Sequence, residues 1–167
     1  MLKTFAAVLA VLACMATSAR ADLDQDCSSS APDWAKMVRS CSAVIKRSPN
    51  AAFAHITLCY AYERLNQSER AMPYCNTGVK LAPKNSMAYI NRGAAYIGVK
   101  NYDHALVDVR KGLELDPKNA TAYVNRAFIY EQLGERDRAI ADYRRTLELI
   151  PGHTYARDAL KRLEAKP

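Results

Sequence analysis

The 167-residue sequence has few of the residues from which catalytic and metal sites are usually built. Its 5 cysteines include no C-x-x-C pair of the kind used in redox exchange, and no paired Cys/His spacing for zinc. Its 3 histidines, His55, His104 and His153, belong to no metal or triad motif. None of its 6 glycines forms a phosphate-binding loop. The sequence therefore predicts no enzyme, no metal site and no cofactor.

The chain also lacks an apolar run long enough for a comfortable membrane span. The run from Phe5 to Ala16 is short and rich in small residues. It follows Lys3 and precedes an Ala-Arg-Ala segment ending at Ala21, which has the A-x-A form of a cleavage site. We therefore expect residues 1–21 to be a signal peptide. The exported protein would be periplasmic, with secretion as an alternative, and would have no integral membrane span after cleavage.

Cys14 offers a different outcome for the exported chain. The segment Val-Leu-Ala-Cys that ends at Cys14 resembles a bacterial lipobox. Leu12 is bulky for that motif, and the A-x-A site is better formed. A lipoprotein anchored through Cys14 is therefore kept as an alternative to cleavage after Ala21.

Positive charge exceeds negative charge, with a formal net charge of +7 that falls to +5 once Lys3 and Arg20 are removed. A charge of this size favours solubility and encounter with anionic surfaces, but it names no partner. The C-terminal third is basic through Arg136, Arg138, Arg144, Arg145, Arg157, Lys161, Arg162 and Lys166. We interpret these cations as a solvated face with i,i+4 partners. Nucleic-acid binding is not expected, because the protein is exported and the cations are not interleaved with aromatic residues.

What the sequence does contain is a repeat of 34 residues. Prolines mark the period: Pro49, Pro83, Pro117 and Pro151. Three complete repeats, 52–85, 86–119 and 120–153, carry this proline at position 32. The register also aligns alanine at position 20, tyrosine at position 11 and small residues at position 8: Ala71, Ala105 and Ala139; Tyr62, Tyr96 and Tyr130; Cys59, Gly93 and Ala127. Chance prolines would not align these other positions with the same period.

This pattern resembles the tetratricopeptide repeat family. The N-R-G-A-A-Y and N-R-A-F-I-Y segments, the Ala-x-x-Asp second helices and the leading Cys…Cys half-repeat are similar to small exported alphaproteobacterial members. The resemblance implies an all-α fold, a right-handed superhelix (α-solenoid) of three full repeats with an N-terminal half-repeat and a C-terminal capping helix. In each repeat, helix A and helix B would be antiparallel and joined by a short turn.

The flanks extend the same register. Residues 33–49 align with the second helix of an incomplete repeat, and residues 154–165 form an amphipathic capping helix. Residues 22–31 are polar and Ser-rich, which predicts an irregular N-terminal arm. The repeat domain would therefore span residues 32–165.

Two cysteines of repeat 1 stand at matching heights on its two helices. Cys59 lies eight residues before Gln67 and Cys75 lies eight after it, a rise of about 12 Å on each arm. A disulfide between them is geometrically plausible. The remaining Cys27 and Cys41 would then pair, partly by elimination, and would pin the N-terminal arm to the half-repeat.

The other repeats carry charged residues beside these slots. Repeat 2 has Arg92 and Asp108 at positions 7 and 23, and repeat 3 has Arg and Asp at the same positions, 126 and 142. Because these positions are symmetric about the turn, the sequence predicts an ion pair within each hairpin. Repeat 1 has Leu58 and Tyr74 there, so we interpret its disulfide as a substitute clamp.

The resemblance also implies a concave groove lined by positions 2, 5, 6, 9, 12 and 13 of each helix A. Ten groove positions are the candidate peptide-binding residues: Phe53, Ile56, Tyr60, Met87, Ile90, Asn91, Ile97, Val124, Asn125 and Phe128. The asparagine amides can donate to and accept from a peptide backbone. The sequence thus predicts a non-catalytic protein–protein interaction module that binds an extended peptide or a helix.

The sequence argues against one known mode of peptide binding and leaves one alternative function open. The clamp for carboxylate tails found in some members is not expected, because Ile56, Tyr60, Thr121 and Asn125 occupy four of its slots. The alternative function is a structural adaptor that contacts partners through its edges or its basic C-terminal helix.

Overall fold

The computed structural model describes residues 25–27 and 33–165. The predicted signal peptide with Cys14, most of the predicted arm and Lys166 lie outside these residues. The described residues form a short helical stretch at 25–27 and eight longer helices: α1 (Trp34–Arg47), α2 (Ala52–Arg64), α3 (Ser68–Leu81), α4 (Ser86–Gly98), α5 (Tyr102–Leu115), α6 (Ala120–Gln132), α7 (Arg136–Leu149) and α8 (Thr154–Glu164). No helix within the described ranges combines the length and hydrophobicity that a bilayer crossing requires.

The helices stack in chain order into an all-α solenoid, as the sequence predicts. Helices α2 and α3, α4 and α5, and α6 and α7 form the three hairpins, while α1 packs on α2 and α8 packs on α7. The A helices also contact one another, α2 with α4 and α4 with α6, and the first of these pairs packs more extensively. Buried apolar residues form three clusters along the stack. Each repeat therefore buries its apolar face against its neighbours.

Small side chains allow the two helices of a hairpin to approach closely. The alanines at position 20, Ala71, Ala105 and Ala139, are fully buried. At position 8 of repeat 2, a Cβ added to Gly93 would lie 2.7 Å from Cγ2 of Val109. This spacing leaves no room for a side chain, which is the physical reason for the small residues in the pattern.

The side chain at position 4 ties each helix A to the proline turn before it. Four different donors reach the carbonyl oxygen of the proline six residues earlier: His55 Nε2 at 2.8 Å from Pro49, Tyr89 OH at 3.2 Å from Pro83, Tyr123 OH at 3.1 Å from Pro117 and Arg157 Nη2 at 2.8 Å from Pro151. The last bond lies in α8, so the capping helix continues the repeat register. His55 thus has a structural role, at a position that holds tyrosine in repeats 2 and 3.

Repeats 2 and 3 are each closed by an ion pair between their two helices. Arg92 Nε and Nη2 donate to the carboxylate of Asp108 at 2.6 and 2.8 Å. Arg126 donates to Asp142 in the same way at 2.7 and 2.8 Å. The hydrogen bond to the buried carboxylate raises the pKa of each arginine. Both predicted ion pairs are confirmed.

Repeat 1 is closed by a disulfide and an aromatic stack. Cys59 and Cys75 are bonded, with their Cα atoms 4.9 Å apart. The ring centroid of Tyr74 lies 5.6 Å from that of Tyr62 and 6.2 Å from that of His55. In repeats 2 and 3 the arginine occupies this place, with its guanidinium 5.4 to 6.0 Å from the rings at positions 4 and 11.

The second predicted disulfide is also present. Cys27 and Cys41 are bonded, with their Cα atoms 4.8 Å apart. This bond fixes the helical stretch at 25–27 to α1, and Lys36 of α1 pairs with Asp26 at 2.8 Å. Both disulfides therefore lie in the N-terminal half of the solenoid.

Candidate functional site

The ten predicted groove residues fall into three groups by exposure. Phe53, Met87 and Tyr60 are 47%, 38% and 37% exposed. Four others are half-buried: Ile97, Val124, Asn125 and Phe128. Ile56, Ile90 and Asn91 are buried and offer almost no surface to a ligand.

The three buried residues hold neighbouring helices together, which corrects their predicted place in the groove. Asn91 of α4 donates through Nδ2 to the carbonyl oxygen of Ile56 in α2, at 3.2 Å. The side chains of Ile56 and Ile90 pack on glycines of the B helices, where an added Cβ would lie 2.9 Å and 2.5 Å from them. Positions 5 and 6 therefore serve the packing of α2 and α4 in this part of the molecule.

The open part of the groove is a cavity of about 220 Å³ between the C-terminal A helices. Its lining is mostly apolar and comes from α4, α6 and α8: Ile97, Val124, Asn125, Phe128 and Tyr155. Four of these five were predicted from the sequence. The fifth, Tyr155, belongs to the predicted capping helix, residues 154–165, and was not among the ten groove positions. Counting on from repeat 3 places Tyr155 at position 2, so the repeat register itself could have identified it.

Asn125 contributes an amide to the lining of this cavity. It occupies the same position in repeat 3 as Asn91 in repeat 2, yet it is half-buried. Within residues 25–27 and 33–165 its amide has no hydrogen-bond partner, whereas the amide of Asn91 binds Ile56. A free amide beside an apolar cavity can both donate to and accept from an extended backbone.

Two glutamates occupy position 12, on the same side of their A helices. Arg162 donates to both carboxylate oxygens of Glu131 at 2.7 and 2.9 Å, and the hydroxyl of Tyr143 donates to Oε2 at 3.3 Å. Among the described residues, Glu63 accepts one hydrogen bond, from Ser68 Oγ to Oε2 at 3.2 Å. Burial raises the pKa of Glu63, and the bond from Ser68 partly opposes this shift.

The basic C-terminal surface is largely matched by nearby acceptors. Arg138 pairs with Glu135, Arg145 with Glu148 at 2.5 Å, and Arg144 with Glu164 at 2.7 Å. Arg136 donates to the carbonyl oxygen of Leu163. These contacts support the interpretation as a solvated face, although the local pairs have i,i+3 spacing rather than the expected i,i+4.

The period, the hairpins and the concave cavity can be compared with known proteins. Models described as tetratricopeptide repeat match residues 54–85, 86–119 and 120–153. The chain belongs to the tetratricopeptide repeat family. Tetratricopeptide repeat proteins are protein-interaction modules and typically have no catalytic activity. A search of curated proteins finds no significant match.

Several solved structures, among them TPR domains, resemble this one over most of their length. The Arabidopsis OM64 TPR domain is 30% identical, with 70% of this chain and 97% of that chain covered and a TM-score of 0.66. A MamA protein is 22% identical, with 88% and 80% covered and a TM-score of 0.71, and it shares the fold. The second TPR domain of human RPAP3 was solved in complex with the HSP70 peptide SGPTIEEVD. It is 25% identical, with 65% and 90% covered and a TM-score of 0.59.

Proposed function

We propose that the protein is a non-catalytic module of the cell envelope that binds an extended peptide in its concave groove. The observation that carries this proposal is the apolar cavity between α4, α6 and α8, with the unpartnered amide of Asn125 at its side. The cavity would take one apolar side chain, and the amide would bind the backbone beside it. Family membership supports a protein partner, since this fold serves protein interaction.

The exposed aromatic and apolar residues extend this surface along the groove. Phe53, Tyr60 and Met87 are large apolar side chains that are more than a third exposed, on α2 and α4. Tyr155 adds a fourth on α8, where it is 46% exposed. Large apolar side chains that remain exposed along a groove favour a partner there. The binding surface in this proposal therefore consists of Phe53, Tyr60, Met87, Ile97, Val124, Asn125, Phe128 and Tyr155.

A periplasmic location is part of the proposal. The two disulfides suit an oxidising environment, and the predicted signal peptide would deliver the chain there. Secretion is the alternative. Cell fractionation combined with peptide mapping under non-reducing conditions tests this point. Free thiols at Cys59 and Cys75 in protein isolated from its native compartment would contradict it.

Photocrosslinking in the native cell tests the groove. A photoreactive amino acid would replace Tyr155 in the groove or, as a control, Val107, which is 67% exposed on α5. We expect adducts from position 155 only, and we expect Phe128→Ala or Asn125→Ala to remove them, in the case of Asn125→Ala without changing the thermal unfolding midpoint. Adducts from position 107 that persist in both variants would instead favour an adaptor that uses its edges.

A further inference from the structure

The two glutamates at position 12 have the same place in the repeat but different partners. Around Glu131, the cation comes from position 9 of the following helix, Arg162, and the hydroxyl comes from position 24 of its own repeat, Tyr143. Both donors are therefore supplied by the register of the solenoid. The equivalent positions around Glu63 supply neither a cation nor a hydroxyl.

Those equivalent positions hold Ala94 and Cys75, which cannot replace the arginine and the tyrosine. Cys75 is bonded to Cys59 and has no hydroxyl to offer. Ala94 is a small, half-buried residue. Oε1 of Glu63 is buried and has no hydrogen-bond partner within residues 25–27 and 33–165.

No cation among the described residues compensates for this carboxylate. The neighbouring Arg64 packs against α1 instead, where its guanidinium lies 5.1 Å from the ring centroid of Trp34. Burial raises the pKa of Glu63, which reflects the cost of a half-buried negative charge without a counter-ion. A cation that reached Glu63 from outside would relieve that cost.

We infer that Glu63 recognises a lysine or arginine side chain of the bound peptide, which would lie above Ala94 and take the role that Arg162 has at Glu131. This inference rests on the proposed peptide-binding function and adds the charge of the partner. A basic and apolar peptide fits the groove, because α2 carries an unmatched carboxylate and α4, α6 and α8 line an apolar cavity.

The positions in the fold also set the spacing within the peptide. Ala94 lies one helical turn before Ile97, which lines the apolar cavity. Neighbouring packed helices are about 8–10 Å apart, and an extended chain advances about 3.3 Å per residue. The basic residue and the apolar anchor of the peptide should therefore lie about two to three residues apart.

Selection from a random dodecapeptide phage library tests the inference on the purified, oxidised protein. The unchanged protein should enrich peptides with an apolar residue and a lysine or arginine at this spacing. Glu63→Gln should keep the apolar preference and lose the basic one. Phe128→Ala should keep the basic preference and lose the apolar one. Glu114→Gln, which removes an exposed charge from α5, should change neither preference.

An internal partner for Glu63 gives a second, independent test. Ala94→Arg copies the geometry of Arg162 and should abolish the preference for basic residues while raising the thermal unfolding midpoint. For a synthetic peptide of the selected consensus, Glu63→Gln should weaken binding about tenfold, as expected for loss of a charge-assisted hydrogen bond.

The outcomes separate this inference from the proposed function. Apolar peptides selected without a basic residue, or an unchanged basic preference on Glu63→Gln, would overturn the role of Glu63 and leave peptide binding intact. No enrichment on the unchanged protein relative to Phe128→Ala would overturn both.

Discussion

Repeat 1 and repeats 2 and 3 have the same fold but are closed by different chemistry. Repeats 2 and 3 place an arginine between two tyrosine rings and pair it with a buried aspartate. Repeat 1 places Tyr74 between His55 and Tyr62 and adds a covalent bond. Pro73 interrupts the backbone hydrogen bonding of α3, so repeat 1 also has the weaker second helix. The comparison indicates that the hairpin needs a clamp at this point but does not specify which kind.

The largest expected effect comes from removing the covalent clamp. Replacing Cys59 and Cys75 with alanine should lower the free energy of unfolding by about 3 kcal/mol, because the bond closes a loop of 16 residues in the unfolded chain. Urea unfolding followed by circular dichroism measures the change. A loss below about 1 kcal/mol would mean that the aromatic stack of repeat 1 suffices without the disulfide.

An intermediate effect is expected from breaking the ionic clamp of repeat 3. Asp142→Ala should cost about 2 kcal/mol, because it leaves the guanidinium of Arg126 half-buried between tyrosine rings without its counter-charge. The matched variant is Arg126→Leu with Asp142→Tyr, which copies Leu58 and Tyr74 of repeat 1. Urea unfolding should show a smaller loss for this pair of substitutions than for Asp142→Ala. A larger loss for the pair would show that the two clamps are not interchangeable.

The smallest effects on the free energy of unfolding come from the two glutamates at position 12, and they have opposite signs. Glu131→Gln removes the ion pair with Arg162 and should cost about 1 kcal/mol. Glu63→Gln should slightly stabilise the protein at neutral pH, because the folded state raises the pKa of Glu63 and so disfavours its ionised form. This gain should vanish below the pKa that Glu63 has in the unfolded chain, because the protonated glutamate and the glutamine that replaces it are then both neutral.

Thermal unfolding between pH 4 and pH 8 measures these differences. For Glu63→Gln, the advantage over the unchanged protein should grow as the pH rises through the raised pKa of Glu63. A destabilisation by Glu63→Gln at neutral pH would show that the carboxylate already has a stabilising partner.

The repeat register made most of the fold predictable from sequence, including the hairpins, the ion pairs and the disulfides. The hairpins, the ion pairs and the Cys59–Cys75 bond depend on residues at fixed positions within one hairpin, so the period alone brings them together. The Cys27–Cys41 bond lies outside the hairpins, and its prediction rests partly on elimination. The groove was less predictable, because it depends on how far apart successive A helices lie. Asn91 and Asn125 share a position, but α2 and α4 pack more extensively than α4 and α6. The amide of Asn91 therefore reaches the carbonyl oxygen of Ile56 on the neighbouring helix, whereas the amide of Asn125 has no hydrogen-bond partner among the described residues.

Both disulfides lie in the half of the solenoid that precedes α4, and no cysteine follows Cys75. In a linear array each repeat is stabilised by its neighbours, so local opening begins at the end with fewer constraints. We expect amide hydrogen exchange to be slowest in α1 to α3 and to quicken towards α8. The cavity lies at the quickly exchanging end. A ligand bound there, by contacting α4, α6 and α8 together, would slow the opening of the half of the solenoid that has no disulfide.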